Sequence, residues 1–302
     1  KIENKGIEIA LSTRPIQTRD FSWDINLNFS KNSNKVKELD GKSDMFELEK
    51  ASWLDVQIAA KVGENFGSIV GPDFQRNERG DILIDPQTGL PQYDKSNHVL
   101  GNASWDWTGG LLTNFTYKNL SLVAVFDVKV GADLYSMSAR AAYESGKSPE
   151  TLAGRDAWYR SEEERLAAGI AKGADNWKPT GGFVAPGVID NGDGTYRPND
   201  IYINPEDYWM SVCRNAPSMF IYDNSYVKCR ELTLSYNVPK SWLKNVVSGL
   251  TVSFVARNPF IVWKNIPNID PDSNYNNTTG MGLEYGSLPS RRSYGFNVNV
   301  KF

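Results

Sequence analysis

Of the 302 residues, two are cysteine and one is histidine. Cys213 and Cys229 are too few to staple a disulfide scaffold, so they are read either as two free thiols, the plainer assignment, or as a single bridge. His98 by itself cannot anchor a multi-histidine metal site or an ordinary Ser-His triad. The chain holds no G-x-S-x-G, no glycine-rich phosphate loop and no Cys/His cluster. No catalytic residue is therefore expected. With 36 acidic residues, carboxylate pairs occur everywhere and carry no signal, which leaves a glycosidase reading without support. Basic and acidic residues nearly balance at a net charge of −3, so the basic patch a nucleic-acid partner needs is missing. No apolar run approaches the roughly 18 residues of a transmembrane helix. The chain opens on Lys1 without a signal peptide, and residues 1–6 lead straight into a strand. It is expected to be the later part of something longer.

What the chain does have is alternation. In the last nine residues, Tyr294, Phe296, Val298, Val300 and Phe302 interleave with Gly295, Asn297, Asn299 and Lys301. Successive strand side chains point to opposite faces, so one face is apolar and the other polar. Termini usually fray, whereas a strand that must close an outer-membrane barrel ends in this way. Phe21, Trp23, Ile25, Leu27 and Phe29 alternate just as cleanly, as do the even positions from Leu120 to Val130. Segments at 226–236 and 250–256 read alike, and weaker ones lie near 5–13, 51–63, 66–75 and 106–118. That makes about nine strands, several of them near the 9–11 residues that cross a bilayer when tilted. Short links at 14–19, 63–65, 118–119 and 239–248 alternate with long ones at 33–50, 76–105, 131–223 and 263–290. Bacterial barrels have short periplasmic turns and long extracellular loops. Counting back from a periplasmic carboxyl terminus puts every long link outside.

The longest link, 131–223, contains the one expected helix. Ser161 and Glu164 stand at capping-box spacing before good helix formers at 163–171. In the same link, Asp190, Asn191, Asp193, Thr195 and Asp200 space acidic oxygens around glycine, like part of a calcium loop. The closing bidentate glutamate of an EF-hand is missing, and an Asx-rich hairpin turn is the competing reading. No other cofactor is indicated.

Four blocks then carry a resemblance: NKGIEIALSTRPIQTRDFSWDINLNFSKNSNKVKEL at 4–39, LGNASWDWTGGLLTNFTYKNLSLVAVFDVKVGADLYS at 100–136, DNSYVKCRELTLSYNVP at 223–239, and VARNPFIVWKNIPNIDPDSN at 255–274, followed by SRRSYGFNVNVKF. Together they resemble the carboxyl-terminal half of SusC/RagA-type TonB-dependent transporters. The second block departs at Ser104 and Trp105, where a proline is commonly expected. The resemblance implies an all-β, transmembrane antiparallel barrel of about 22 strands in the Gram-negative outer membrane. Residues 1–302 would be its later part, with the plug domain outside them. Implied partners are the earlier barrel strands and plug, the TonB complex, a SusD-like lipoprotein lid over the mouth, membrane lipid and lipopolysaccharide, and an imported oligosaccharide or peptide. Ligand or lid contacts are expected from loop and rim aromatics: Trp105, Trp158, Tyr159, Trp177, Tyr196 and Tyr208. Trp107 and Trp209, near strand ends, are expected instead to anchor at the membrane interface. Arg291 and Arg292, before the final strand, are read as solvated charge, with lipopolysaccharide or lid contact as the alternative.

Periodicity alone does not say whether the apolar face looks at lipid or at a second sheet. A secreted carbohydrate-binding β-sandwich is therefore the competing architecture, and a glycoside hydrolase on a β scaffold the third.

Overall fold

The computed structural model describes residues 1–50, 56–243, 247–274, 276 and 278–302. Strands β1 (Ile2–Gln17) and β2 (Phe21–Val36) form a hairpin. The chain then leaves to build a four-stranded sheet from β3 (Met45–Lys50), β4 (Gln57–Lys61), β5 (Phe66–Phe74) and β6 (Tyr93–Asn102). It returns as a second hairpin, β7 (Trp107–Tyr117) and β8 (Leu120–Val130). A second excursion holds β9 (Asp133–Ser136), α1 (Met137–Glu144) and α2 (Arg155–Ala167). Short strands β10 (Phe183–Val184), β11 (Val188–Asp190), β12 (Tyr196–Pro198) and β13 (Tyr202–Ile203) follow, then α3 (Pro205–Asn215) and β14 (Ile221–Asp223). The third hairpin is β15 (Tyr226–Asn237) with β16 (Gly249–Lys264); a third excursion carries β17 (Leu283–Glu284), and β18 (Ser293–Lys301) ends the fold.

Seven of these strands make one antiparallel sheet in the order β1-β2-β7-β8-β15-β16-β18. Its connections run short, long, short, long, short, long, so all three excursions leave from the same end. The carboxyl terminus lies at the short-turn end, where the Ser248 amide donates to Lys301 O at 2.7 Å and its hydroxyl to Phe302 O at 3.1 Å.

Directly opposed residues share a face, and the register makes this sheet one-sided. Ile16, Trp23, Phe115, Leu122, Leu234, Phe254 and Phe296 form a single row across all seven strands. The neighbouring row, pointing the other way, is Gln17, Ser22, Thr116, Ser121, Ser235, Ser253 and Asn297. In this chain by itself the apolar row is open: Leu234 is 44% exposed and Phe296 80%. The hydrophobic clusters of the described residues lie elsewhere, in the excursions. One gathers Val56, Ile58, Ile69, Tyr135, Phe220 and Leu283 from all three; the other gathers Phe74, Ile84, Ile189, Tyr208, Trp209 and Val212 from the first two. The long connections are thus a packed cap with its own core. A sandwich would bury the apolar face under a second sheet, and no such sheet covers it among the described residues.

Two expectations change. The segments expected at 51–63 and 66–75 form β4 and β5 of the separate sheet (residues 51–55 lie outside the described residues), because alternation reports two faces but not which sheet they belong to. Removing them as a pair preserves the short-long alternation. The helix also starts earlier than expected, at Arg155, after left-handed Gly154. Ser161 is buried in its middle, where its hydroxyl accepts from the Thr180 amide at 3.0 Å, while Glu164 accepts from Thr180 Oγ1 at 2.6 Å. The pair holds the returning chain rather than capping a helix. Two further helices, α1 and α3, were not expected. They start under Ser136, which accepts from Ala139 N, and Asn204, which accepts from Glu206 N.

Ser161→Ala leaves the Thr180 amide without its acceptor and is expected to destabilise the cap by about 1–3 kcal/mol. Faster hydrogen exchange confined to α2 and residues 178–182, with the sheet unchanged, would register it.

Candidate functional site

The polar face of β15 meets the cap at a cluster of charges. Strand alternation sends Tyr226 and Lys228 to this face, and a register shift between Cys229 and Glu231 turns Arg230 to join them. Lys228 is 1% exposed; its Nζ donates to Asp272 at 2.6 Å, Asp270 at 3.1 Å and Ser290 Oγ at 2.5 Å. Arg230 bridges Asp127 of β8 at 2.5 Å and Asp272 at 2.5 and 2.9 Å. The Tyr226 hydroxyl donates to Asp272 at 2.8 Å. The third excursion is therefore pinned to two wall strands by an almost fully paired cluster, as buried charge requires. Burial by itself would raise the Asp272 carboxyl; hydrogen bonds from Arg230 and Lys228 overcome it and hold the group below the usual carboxylate range. Trp105 joins the rim of this cluster, with its ring edge-on to Tyr226 at 5.9 Å and Lys129 Nζ 5.5 Å from its centroid. A second buried anchor lies nearby: Glu284 accepts from Ser136 Oγ at 2.8 Å and from Ser138 Oγ at 2.6 Å, tying β17 to the start of α1.

In the second excursion, α1, α2 and α3 enclose a cavity of about 230 Å³. Its walls include Tyr143, Trp158, Tyr159 and Trp209, with Glu144 and Glu206 at its polar side. The Tyr143 and Trp209 rings are 4.8 Å apart and inclined at 52°. Trp158 lies against Gly182, where a Cβ would come within 3.0 Å of the indole. The cavity's arginine, Arg155, is held by the chain itself, donating to Thr151 O and Oγ1 at 2.7 Å and to Gly146 O at 3.0 Å.

Of the aromatics expected to contact ligand or lid, the fold brings Trp158 and Tyr159 together and leaves the others apart. Trp105 is at the charge cluster. Tyr196 pairs with Asp190 across the β11-β12 hairpin. The Trp177 Nε1 is buried without a hydrogen-bond partner among the described residues. Tyr208 is 3% exposed and packs against Phe183 with ring centroids 4.5 Å apart, and burial pushes its hydroxyl up to about 12. It is a core residue of the cap and not a contact surface, because α3 turns its apolar side inward. Trp209 is corrected in the same way: it packs in that core and not at a membrane interface. Trp107 stands at the start of β7, packed against Phe29 at 5.6 Å.

Asp190 and Asp193 flank the turn of that hairpin. Asp190 accepts from Gly192 N at 2.8 Å and Asp193 from Thr195 N at 2.9 Å and Thr195 Oγ1 at 2.5 Å. These bonds are those of an Asx-rich turn, and no group of three or more metal-ligating side chains occurs among the described residues. Cys213 and Cys229 are both free and buried. His98 pairs with Asp94 at 3.0 Å on the surface, and Arg291 and Arg292 are exposed. On the terminal strand, Phe296, Val298, Val300 and Phe302 are all exposed, since they lie on the uncovered apolar face and β18 is one of the two edge strands of the sheet. Sequence reasoning missed Lys228, Arg230, Asp127, Asp270 and Asp272. For Lys228, Arg230 and Asp127 the one signal is charge within a wall strand, visible only once β15 is registered against β8; Asp270 and Asp272 lie in a loop and carry no such signal.

No protein-family model matches the chain. Among curated proteins it is similar to two TonB-dependent receptors of Formosa agariphila, at 23% and 26% identity, and to the TonB-dependent receptor SusC of Bacteroides thetaiotaomicron at 23%. Each match takes in all of this chain but only 29%, 29% and 26% of the relative, so the chain spans less than a third of their length. Among solved structures, the RagAB peptide transporter superposes on the whole chain with a TM-score of 0.63 at 16% identity, over 29% of its own length. The RagAB importer in its closed-closed state gives 0.61 at 17%. The fold is that of part of these proteins, mostly β and without a helix able to cross a membrane among the described residues.

The charge cluster yields a pH and a mutational expectation. The Asp272 carboxyl is lower in the folded state than its ordinary 3.8. Its contribution is therefore complete above that value and lost as pH falls below it. Protease cleavage within 265–292 is expected to be absent at pH 5–8 and to rise only as pH is taken progressively below 3.8, toward the lower folded-state value. Lys228→Met strips one buried cation from two aspartates and is expected to cost about 3–5 kcal/mol, exposing the same segment at neutral pH. Unchanged protection in the variant would mean that the cluster does not hold the excursion.

Proposed function

We infer that this chain, a homologue of the SusC-type TonB-dependent receptors, supplies the later wall strands and much of the extracellular cap of a transporter importing nutrient across the Gram-negative outer membrane. The observation that carries this is the seven-strand apolar row left uncovered beside a wholly polar one. A barrel places the first against lipid and lipopolysaccharide and the second against a water-filled lumen. Seven strands leave two open edges, which lipid does not tolerate. Earlier strands, from the same polypeptide or a partner chain, complete a barrel of about 22 strands around a plug. The short turns face the periplasm and the three excursions face outward. A SusD-like lipoprotein lids the cap, TonB pulling on the plug supplies the energy, and no residue here performs covalent chemistry. The cargo is an oligosaccharide or a peptide; the similarity to a peptide transporter supports the second, the similarity to SusC the family alone.

Deleting most of 140–215 is expected to spare insertion, seen as heat-modifiable gel mobility of the detergent-extracted transporter, while reducing uptake or lid association. Loss of insertion would overturn this topology. On the wall itself, Leu234→Lys is expected to cost about 2 kcal/mol or more of insertion stability, and Ser235→Lys on the opposite face much less. Equal effects would mean that the apolar row does not meet lipid.

A further inference from the structure

We propose that the cavity between α1, α2 and α3 binds a primary ammonium or guanidinium carried on an aliphatic stem, the chemistry of a lysine or arginine side chain. The proposal rests on the reading of the second excursion as part of an extracellular cap that meets cargo. At about 230 Å³ the cavity takes a side-chain-sized group and is smaller than the roughly 300–1,000 Å³ typical of a whole-ligand site. Four aromatic residues, Tyr143, Trp158, Tyr159 and Trp209, line it, and aromatic faces attract cations while tolerating an apolar stem.

The charges agree with the rings. Glu144 and Glu206 both border the cavity, and Glu206 forms no ion pair among the described residues. Glu144 has one distant cation, Arg140 Nε at 4.0 Å. Two features oppose a cation, the guanidinium of Arg155 and the amino terminus of α3. The Arg155 guanidinium is held by Thr151 and Gly146, and at the amino terminus of α3 the Glu206 amide is capped by Asn204 Oδ1 at 3.0 Å. The lining thus sets two carboxylates against one guanidinium, beside an aromatic wall. Tyr159, 65% exposed, stands at the opening, where its ring can cover the stem.

The test measures binding of N-acetyl-lysine amide to the full detergent-solubilised transporter by calorimetry, with N-acetyl-norleucine amide as the neutral isostere. The expected result is a preference of about tenfold or more for the lysine probe, the scale of a desolvated cation-π contact with a carboxylate beside it. E144Q/E206Q is expected to bring that preference to near unity while leaving norleucine binding unchanged. E206Q alone, at an exposed first-turn position, is expected to reduce it in part and serves if the double variant does not fold. W158L is expected to weaken both probes. Equal binding of the two probes would overturn the proposal in favour of an apolar cavity. Absence of lysine binding at millimolar concentration, or a preference that survives E144Q/E206Q, would overturn it as well. Heat-modifiable mobility of the same samples keeps the two readings apart: a wild-type protein that lacks it refutes the barrel, and one that has it but ignores the lysine probe refutes only the cavity.

Discussion

The structure depends on an apolar sheet face that nothing among the described residues covers. Burying apolar surface is the dominant favourable term in folding, and most β domains satisfy it by packing one sheet on another. Here the Ile16-to-Phe296 row runs unbroken across seven strands and stays open, while the hydrophobic clusters sit in the connections. Such a face calls for apolar surroundings on one side. The polar row beside it, where the Ser235 and Ser253 hydroxyls hydrogen-bond at 2.8 Å, needs water or polar groups on the other.

With the wall taking no core from its own strands, the cap must be stable independently and then be joined to it. Pieces of all three excursions share one hydrophobic cluster, so the cap is a single body although its parts lie far apart in sequence. The join is ionic. Lys228 and Arg230 reach from β15, Asp127 from β8, and Asp270 and Asp272 from the third excursion. Buried ion pairs contribute little net stability over apolar packing, since desolvation offsets the attraction. They do demand one geometry, because any other register leaves the buried Lys228 without a carboxylate partner. The cluster therefore serves to orient the cap on the wall more than to strengthen it.

The cavity between the helices has the same dependence on assembly. Tyr143 lies in the last turn of α1, Trp158 and Tyr159 lie in α2, and Trp209 lies in α3. Each is an ordinary helix residue in its own segment, and they make a wall only because three helices converge. The capping groups that start α1 and α3 are local, at Ser136 and Asn204. The apolar spacing behind them is short and broken by polar residues, which hid both helices in the sequence.

Legibility followed the range of the interactions. The strands from Phe21, from Leu120 and at the carboxyl terminus were visible because a period of two is a local property of the backbone. So were the alternation of short and long links and the similarity to transporters of the SusC kind. The strands β4 and β5 were visible as strands but assigned to the wall, since alternation does not say which sheet a strand joins. Ser161 and Glu164 matched a capping box by spacing, yet their partner is Thr180, and no local pattern predicts that contact. Tyr208 and Trp209 looked like rim aromatics until α3 turned them inward. The sequence by itself determined that the wall has an apolar and a polar face and that its loops leave from one end, because both follow from backbone period and chain order. Only the tertiary structure decided that the loops form a cored cap, that five charges join it to the wall, and that α1, α2 and α3 enclose a cavity, because each requires side chains far apart in sequence to meet in space.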